Sequence, residues 1–264
     1  MSRSWYYERL SAPAQDADAI ALRDQIEDII LAFPGYGYRR VTRELQRRGW
    51  QVNHKRVLRV MQEESLLCQL KKRFVVHTTN SRHGFPIYPN VLAGTQLVAP
   101  DQAWVADFTY IRLRSAFVYL ACLLDAFSRR CVGWHLSREM STQLTSRALQ
   151  HAIAKRHPAP GLIHHSDRGV QYASREYVEQ LLAIGATISM SAVGNPYDNA
   201  KAESFFKTLK QEEVYLKDYH SFEDAENNLT EFLEEVYNTK RLHSSLGYVP
   251  PAEFEAAYVP LPGS

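Results

Sequence analysis

Between residues 103 and 137 three runs rich in β-formers, AWVADFTYIRL, FVYLACLLDAF and CVGWHLS, are joined by very short polar connections. Connections that short allow hairpins and little else, so the runs predict an antiparallel meander. Downstream the pattern alternates in type. STQLTSRALQHAIAKR has helical spacing, GLIHHSD is a short strand, SREYVEQLLAIG is a helix ending at Gly185, and ATISMS is a last strand. Three strands followed by α, β, α, β predict a mixed-sheet α/β layer fold. Two further helices follow, NAKAESFFKTLKQEEVY and the acidic FEDAENNLTEFLEEVYNTKR.

The first 73 residues are helical in pattern. AIALRDQIEDIILAF sets Ile20, Leu22, Ile26, Ile29, Ile30 and Phe33 on a broad apolar face, and FPGYGYRR breaks it. Val41 and Leu45 mark a second helix stopped at Gly49. Asn53 is placed to cap a third, HKRVLRVMQEESLL, with Val57, Val60, Met61 and Leu67 apolar. Three helices with the basic one last suggest a helix-turn-helix-like unit offering Lys55, Arg56 and Arg59 to DNA. A solvated basic face on a small bundle is the alternative. Pro and Gly punctuate residues 74–100, which read as a linker, possible company for a nucleic acid. The expected organisation is therefore a helical region at 1–73, a linker at 74–100, an α/β core at 101–215 and an acidic helical region at 216–264.

Charge supports a basic body. Residues 1–75 carry 14 Lys+Arg against 9 Asp+Glu, 76–210 carry 14 against 9, and 211–264 carry 3 against 11, which together give the net +2. Residues 39–73 alone hold 11 basic against 3 acidic side chains, +8 in 35 residues, a density suited to phosphate neutralisation. With 45% hydrophobic residues and no long apolar run, the chain reads as globular and cytoplasmic, with no membrane partner. Cys68, Cys122 and Cys131 lack zinc or disulfide spacing and read as thiols, two of them within apolar strands. Trp104 and Trp134 read as core.

Three acids fall on three separate elements: Asp107 within the first strand, Asp167 where the fourth ends in IHHSDRG, and Glu203 on the helix that begins near Asp198. If the first and fourth strands are parallel neighbours, the three side chains converge. Singly, each has a plain reading as a turn residue or a surface pair, Glu203 with Lys207 for example. Together they need a cation, because like charges a few ångströms apart repel and raise one another's pKa. Oxygen-only ligands suit Mg²⁺ or Mn²⁺, and paired ions of this kind can activate an attacking oxygen and stabilise a leaving one. His164 and His165 would then lie around Asp167.

The strings WVADFTYI, HHSDRGVQY and GNPYDNAKAESFFKTLK, in that order and with 35 residues between Asp167 and Glu203, resemble the motifs of DDE transposases and retroviral integrases. More narrowly, the chain resembles the second-reading-frame transposase of the insertion-sequence-3 family. GYGYRRVTRELQRRG with NHKRVLRVMQEE is similar to that family's helix-turn-helix segment, and YNTKRLHSSLGYVPPAEF to its C-terminal signature. The resemblance implies an RNase-H-like core and a catalytic, metal-binding triad of Asp107, Asp167 and Glu203, with Lys210 as the basic residue that follows. It implies two Mg²⁺ or Mn²⁺ ions per site, double-stranded DNA as substrate, and a homo-oligomer on DNA. SRSWYYERL resembles the family's frameshift junction, which implies an upstream segment that recognises the element's ends. No His/Cys set precedes the core, so a zinc-binding domain is not expected.

Helical spacing puts Asn199, Glu203, Lys207 and Lys210 on one face, so Lys207 and Lys210 are candidates for DNA phosphate. His165, Gln171, Tyr172, Asn195 and Asn199 complete the candidate DNA contacts, with Gly194, Asn195 and Pro196 in a loop beside the site. The expected reaction is hydrolysis at an element's end followed by attack of the freed 3′-hydroxyl on another phosphodiester. A nuclease of RNase-H type that cuts without joining, or a DNA-binding regulator with an inactive core, stands as the alternative.

Overall fold

The computed structural model describes residues 17–68, 84–192 and 199–259. The chain forms two compact units that divide between Leu70 and Lys71. In the first, α1 (Ala17–Ala32), α2 (Tyr38–Arg47) and α3 (His54–Glu63) form a three-helix cluster. Leu22, Ile26 and Ile29 repeat at i, i+4 and i+7, and they are buried with Tyr36, Val41, Leu45, Val57 and Met61. The apolar stripe is narrower than the sequence suggested, since Ile20 is 41% exposed and Leu67 is 43% exposed. Asn53 caps α3 as expected: its Oδ1 accepts from Lys55 N at 2.7 Å and Arg56 N at 3.3 Å.

The second unit is built on a five-stranded sheet in the order β3-β2-β1-β4-β5. Strands β1 (Ala103–Arg112), β2 (Phe117–Asp125) and β3 (Cys131–Ser137) form the antiparallel meander. Strands β4 (Ile163–Ser166) and β5 (Thr187–Met190) add on in parallel, through the crossover helices α4 (Thr142–Arg156) and α6 (Arg175–Ala183), with the single turn α5 (Val170–Ala173) between β4 and α6. This is the mixed α/β fold that the meander and the alternating segments predict.

Each face of the sheet has its own core. Trp104, Ala106 and Phe108 pack with Leu144, Ala148, Leu149 and Leu181 from α4 and α6. That approach is close: a Cβ on Gly133 of β3 would lie 2.5 Å from Ala152 Cβ and 2.6 Å from Ala148 O, so only glycine fits. Val105, Ile111, Leu120 and Cys122 face the other way, against Phe205, Phe206 and Leu209 of α7 (Ala200–Leu209). The same core holds Leu229 of α8 (Phe222–Thr230) and Phe232, Leu233 and Tyr237 of the π-helical run Glu231–Tyr237 that continues it. The acidic C-terminal stretch is thus one wall of the α/β unit. Residues 84–100, the described part of the expected linker, are fastened to the sheet edge: Ser189 Oγ accepts from Val91 N at 2.9 Å and Leu92 N at 3.2 Å. A last short helix, α9 (Pro251–Ala256), brings Glu255 to Arg130 (2.7 Å) and Arg156 (2.9 Å), and Arg156 also holds Asp101 at 2.5 Å. Among the described residues no helix is long and apolar enough to cross a membrane.

Candidate active site

The parallel register of β1 and β4 pairs Ala103 with Ile163, Trp104 with His164 and Val105 with His165, an offset of 60 residues. The same offset carries Asp107 onto Asp167, just past the last paired residue of β4. Two acids 60 residues apart therefore come side by side where β4 ends, because two interior strands run in register. Asp107 is half-buried, and its Oδ1 accepts from Phe108 N at 2.8 Å. Its carboxyl is pushed up to about 8, first by burial and then by the negative charge of Asp167. Glu203 pushes in the same direction, while the Phe108 N–H and the Lys210 ammonium oppose it.

Asp167 is held by the turn it begins. Its Oδ1 accepts from Gly169 N at 2.9 Å, and a Cβ at Gly169 would stand 2.9 Å from that oxygen. The glycine keeps the chain folded tightly back on the carboxylate. Glu203 lies in the first turn of α7 and is exposed, whereas Ala202, Phe205, Phe206 and Leu209 anchor the helix below it. The three acids share one electrostatic neighbourhood without forming a ready-made cage: among the described residues no three His, Cys, Asp or Glu side chains are placed to hold one metal ion.

The two histidines before Asp167 point away from solvent on opposite sides of β4. His164 is buried, with Nε2 at 2.8 Å from the Tyr177 hydroxyl of α6, and burial lowers its pKa to about 3. His165 is fully buried between two hydroxyls of the β5 edge, Ser189 Oγ at 2.8 Å from Nδ1 and Ser191 Oγ at 3.1 Å from Nε2. A DNA contact by His165 is therefore corrected: the imidazole is an interior hydrogen-bonding group. Tyr172 is corrected for the same reason, since it is 2% exposed and packs edge-on against Tyr177. Its hydroxyl is buried without a hydrogen-bond partner, and the charges of Asp107 and Asp167 act on it.

Of the other candidates, Lys207 is exposed on α7, and Lys210 lies with Nζ 4.6 Å from the centre of the Tyr110 ring. Asn199 is 9% exposed at the start of α7, where its carbonyl accepts from Glu203 N at 3.0 Å. Gln171 is half-buried beside Gly169. Asn195 lies outside the described residues, as do Gly194, Pro196 and the rest of 193–198. Lys55, Arg56 and Arg59 are exposed on α3 while Val57 and Met61 of the same helix are buried, so that helix has one cationic side and one apolar side.

Sequence reasoning overlooked two supports of the site. Arg168 Nε donates to Ser191 O at 2.8 Å and ties the Asp167 turn to the end of β5. The serines at 189 and 191, two apart on one face of an extended segment, were the available signal for the His165 pocket.

Comparison with known proteins gives concordant matches. The model of the "Integrase core domain" matches residues 98–196 and a second one of that description residues 184–251, while an "HTH-like domain" matches 15–74. The chain is 37% identical to the "Insertion element IS600 uncharacterized 31 kDa protein" of Shigella sonnei, over 98% of this chain and 96% of that one. It is also 37% identical to the "Transposase for insertion sequence element IS904" of Lactococcus lactis, over 91% and 96%. Its fold resembles a chain of a simian T-cell lymphotropic virus intasome in complex with the PP2A regulatory subunit B56 gamma. There the TM-score is 0.50 and the identity 15%, over 87% of this chain and 74% of that one.

Proposed function

The chain belongs to the family of insertion-sequence transposases with an integrase core domain, and we propose that Asp107, Asp167 and Glu203 are the carboxylates with which it cuts and joins DNA. The observation that carries this reading is the parallel β1–β4 register, which continues from three observed pairs onto Asp107 and Asp167. A carboxyl raised to about 8 beside a second carboxylate is mostly protonated at neutral pH unless a cation replaces the proton. This donor set, oxygen-only and anionic, fits Mg²⁺ or Mn²⁺ held between Asp107 and Asp167, with Glu203 contributed by α7. The reading takes two ions per site. When bound, such ions activate an attacking oxygen and stabilise the leaving one.

The chain's own groups account for position and charge. The Gly169 amide and the Arg168 tie to β5 fix the Asp167 turn. Lys207 and Lys210, on and just after α7, meet phosphates of the bound strand, with Asn195, Asn199 and Gln171 as further contacts. Lys55, Arg56 and Arg59 hold flanking duplex through its phosphates and grooves. In the first step water attacks a phosphodiester at the element's end, one P–O bond forms, another breaks, and a 3′-hydroxyl is released. In the second that hydroxyl attacks a phosphodiester elsewhere, exchanging one P–O bond for another with no protein–DNA bond. Two ends must be handled together, so the reading includes a homo-oligomer on double-stranded DNA. The organisation follows as a helix-turn-helix-like region at 1–73, a connecting segment at 74–100, the catalytic core at 101–215 and a helical region at 216–264.

Cleavage of labelled duplex in Mg²⁺ or Mn²⁺ tests the carboxylate assignment. Asp107→Asn, Asp167→Asn and Glu203→Gln are each expected to slow cleavage at least about 100-fold, the scale of several kcal/mol of charge stabilisation. Their metal-free thermal unfolding should remain cooperative. A variant that cleaves at the wild-type rate removes that residue from the site.

A further inference from the structure

The hairpin joining β1 to β2 and the π-helical turn Lys210–Val214 that follows α7 enclose a cavity of about 790 Å³. Its wall alternates aromatic and cationic side chains: Tyr110, Phe117 and Tyr215 with Arg112, Lys210 and Lys217. One carboxylate is among the lining residues, Asp218, and Arg114 holds it through Nε at 2.9 Å and Nη2 at 2.8 Å. Including Arg114, four cations face one anion.

The wall is preformed. Arg114 N donates to Tyr219 O at 3.2 Å and Tyr219 Oη donates to Glu213 at 3.0 Å, which join the hairpin to the turn, and Tyr215 N donates to Lys210 O at 2.8 Å, which closes the turn itself. Tyr110 and Phe117 meet edge to face at 5.7 Å between ring centres, and Phe117 is 47% exposed where it lines the cavity. The volume lies within the range of built ligand pockets.

Aromatic faces between cations are the chemistry of a stacked base with its phosphates neutralised. We propose that this pocket takes one unpaired nucleotide of the DNA strand engaged at the carboxylates, stacking its base on Phe117, with Tyr110 bordering it, and holding its phosphates with Arg112 and Lys217. The inference rests on the DNA-processing reading above, because Lys210 belongs to both places: its charge acts on Asp107, and its ammonium covers Tyr110. Tyr110 is three residues beyond Asp107 on β1, about 10 Å along the strand, and strand alternation turns it away from the face that Asp107 occupies. The stacked nucleotide is therefore expected a few positions from the phosphate under attack rather than at it.

The test is a binding measurement on the full chain in EDTA, where no chemistry occurs. The probe is a labelled duplex with a single-stranded tail of about five nucleotides, carrying 2-aminopurine at each tail position in turn. Wild type should quench the fluorophore at one or two adjacent tail positions, and should leave it unchanged when the base is paired in the duplex. Phe117→Leu should abolish the quench and weaken binding about tenfold, whereas Phe117→Trp should retain it. Arg112→Gln and Lys217→Gln should each lower the salt-dependence slope by about one. Equal quenching by wild type and Phe117→Leu, or equal quenching of paired and unpaired probes, would overturn the pocket. Failure of the wild type to cut or join DNA while the Phe117-dependent quench persists would instead sink the transposase assignment and leave the pocket standing.

Discussion

On adjacent strands burial moves two titrating groups in opposite directions for one reason, that it disfavours the charged form. It pushes Asp107 up to about 8 and His164 down to about 3. In the proposed reading a bound cation would relieve Asp107, whereas His164 has the Tyr177 hydroxyl on one nitrogen and a buried, unpartnered Nδ1 on the other. The unfolded chain therefore takes a proton that the folded one refuses between the ordinary histidine pKa of 6.5 and about 3. Stability from this residue is complete above the unfolded pKa and is lost as pH falls through that window. The loss between pH 7 and pH 5 is about 2 kcal/mol. Asp107, protonated in the folded chain over the same range, contributes in the opposite direction and is common to both proteins. In denaturant unfolding the His164 loss is therefore read as the wild type's change between the two pH values minus that of His164→Asn; the same change in both proteins would contradict it. At this scale the sequence singled out the acids as candidates, and its condition that the first and fourth strands be parallel neighbours is met. It did not disclose that His165 is interior, since that depends on β5 pairing beyond β4 and bringing Ser189 and Ser191 to the ring.

The elements most tightly determined by pattern are those that bury one side. β1 alternates between two cores, α3 buries Val57 and Met61, and both were legible from apolar spacing. The run NAKAESFFKTLKQEEVY reads as one helix, yet after Leu209 it widens into a π-helical turn in which Glu213 is buried against the Tyr219 hydroxyl. No local pattern announces that change, because it answers to a residue on the next turn of chain; such interruptions recur at functional sites. For α3 the exposed side decides the outcome. Replacing Lys55, Arg56 or Arg59 by Gln is expected to weaken binding to duplex DNA and to lower the slope of log affinity against log salt by about one each. Anisotropy titrations from low to moderate salt measure this, and a slope unchanged in all three variants would place α3 away from DNA.

For the molecule as a whole, charge was legible as a quantity but misleading as a location. The 211–264 stretch carries 11 acidic residues against 3 basic, yet several of the acids are engaged within the α/β unit. Glu212 holds Arg241 at 2.6 Å, Glu234 accepts from Lys155 at 2.6 Å and from Trp134 Nε1 at 3.1 Å, and Glu255 holds Arg130 and Arg156. Glu234 and Glu255 fasten the C-terminal wall to β3, to the turn before it and to α4, while the Glu212–Arg241 pair ties the wall to itself, so the acidic stretch is part of the α/β unit. The central claim concerns what the sheet that presents Asp107 and Asp167 does to DNA. The most direct test is a strand-joining assay on labelled duplexes carrying the element's ends, in Mg²⁺ or Mn²⁺, with wild type and Asp167→Asn side by side. Joined products from the wild type that disappear in Asp167→Asn are the predicted result; cleaved ends that are never joined, or joining that survives Asp167→Asn, would contradict it.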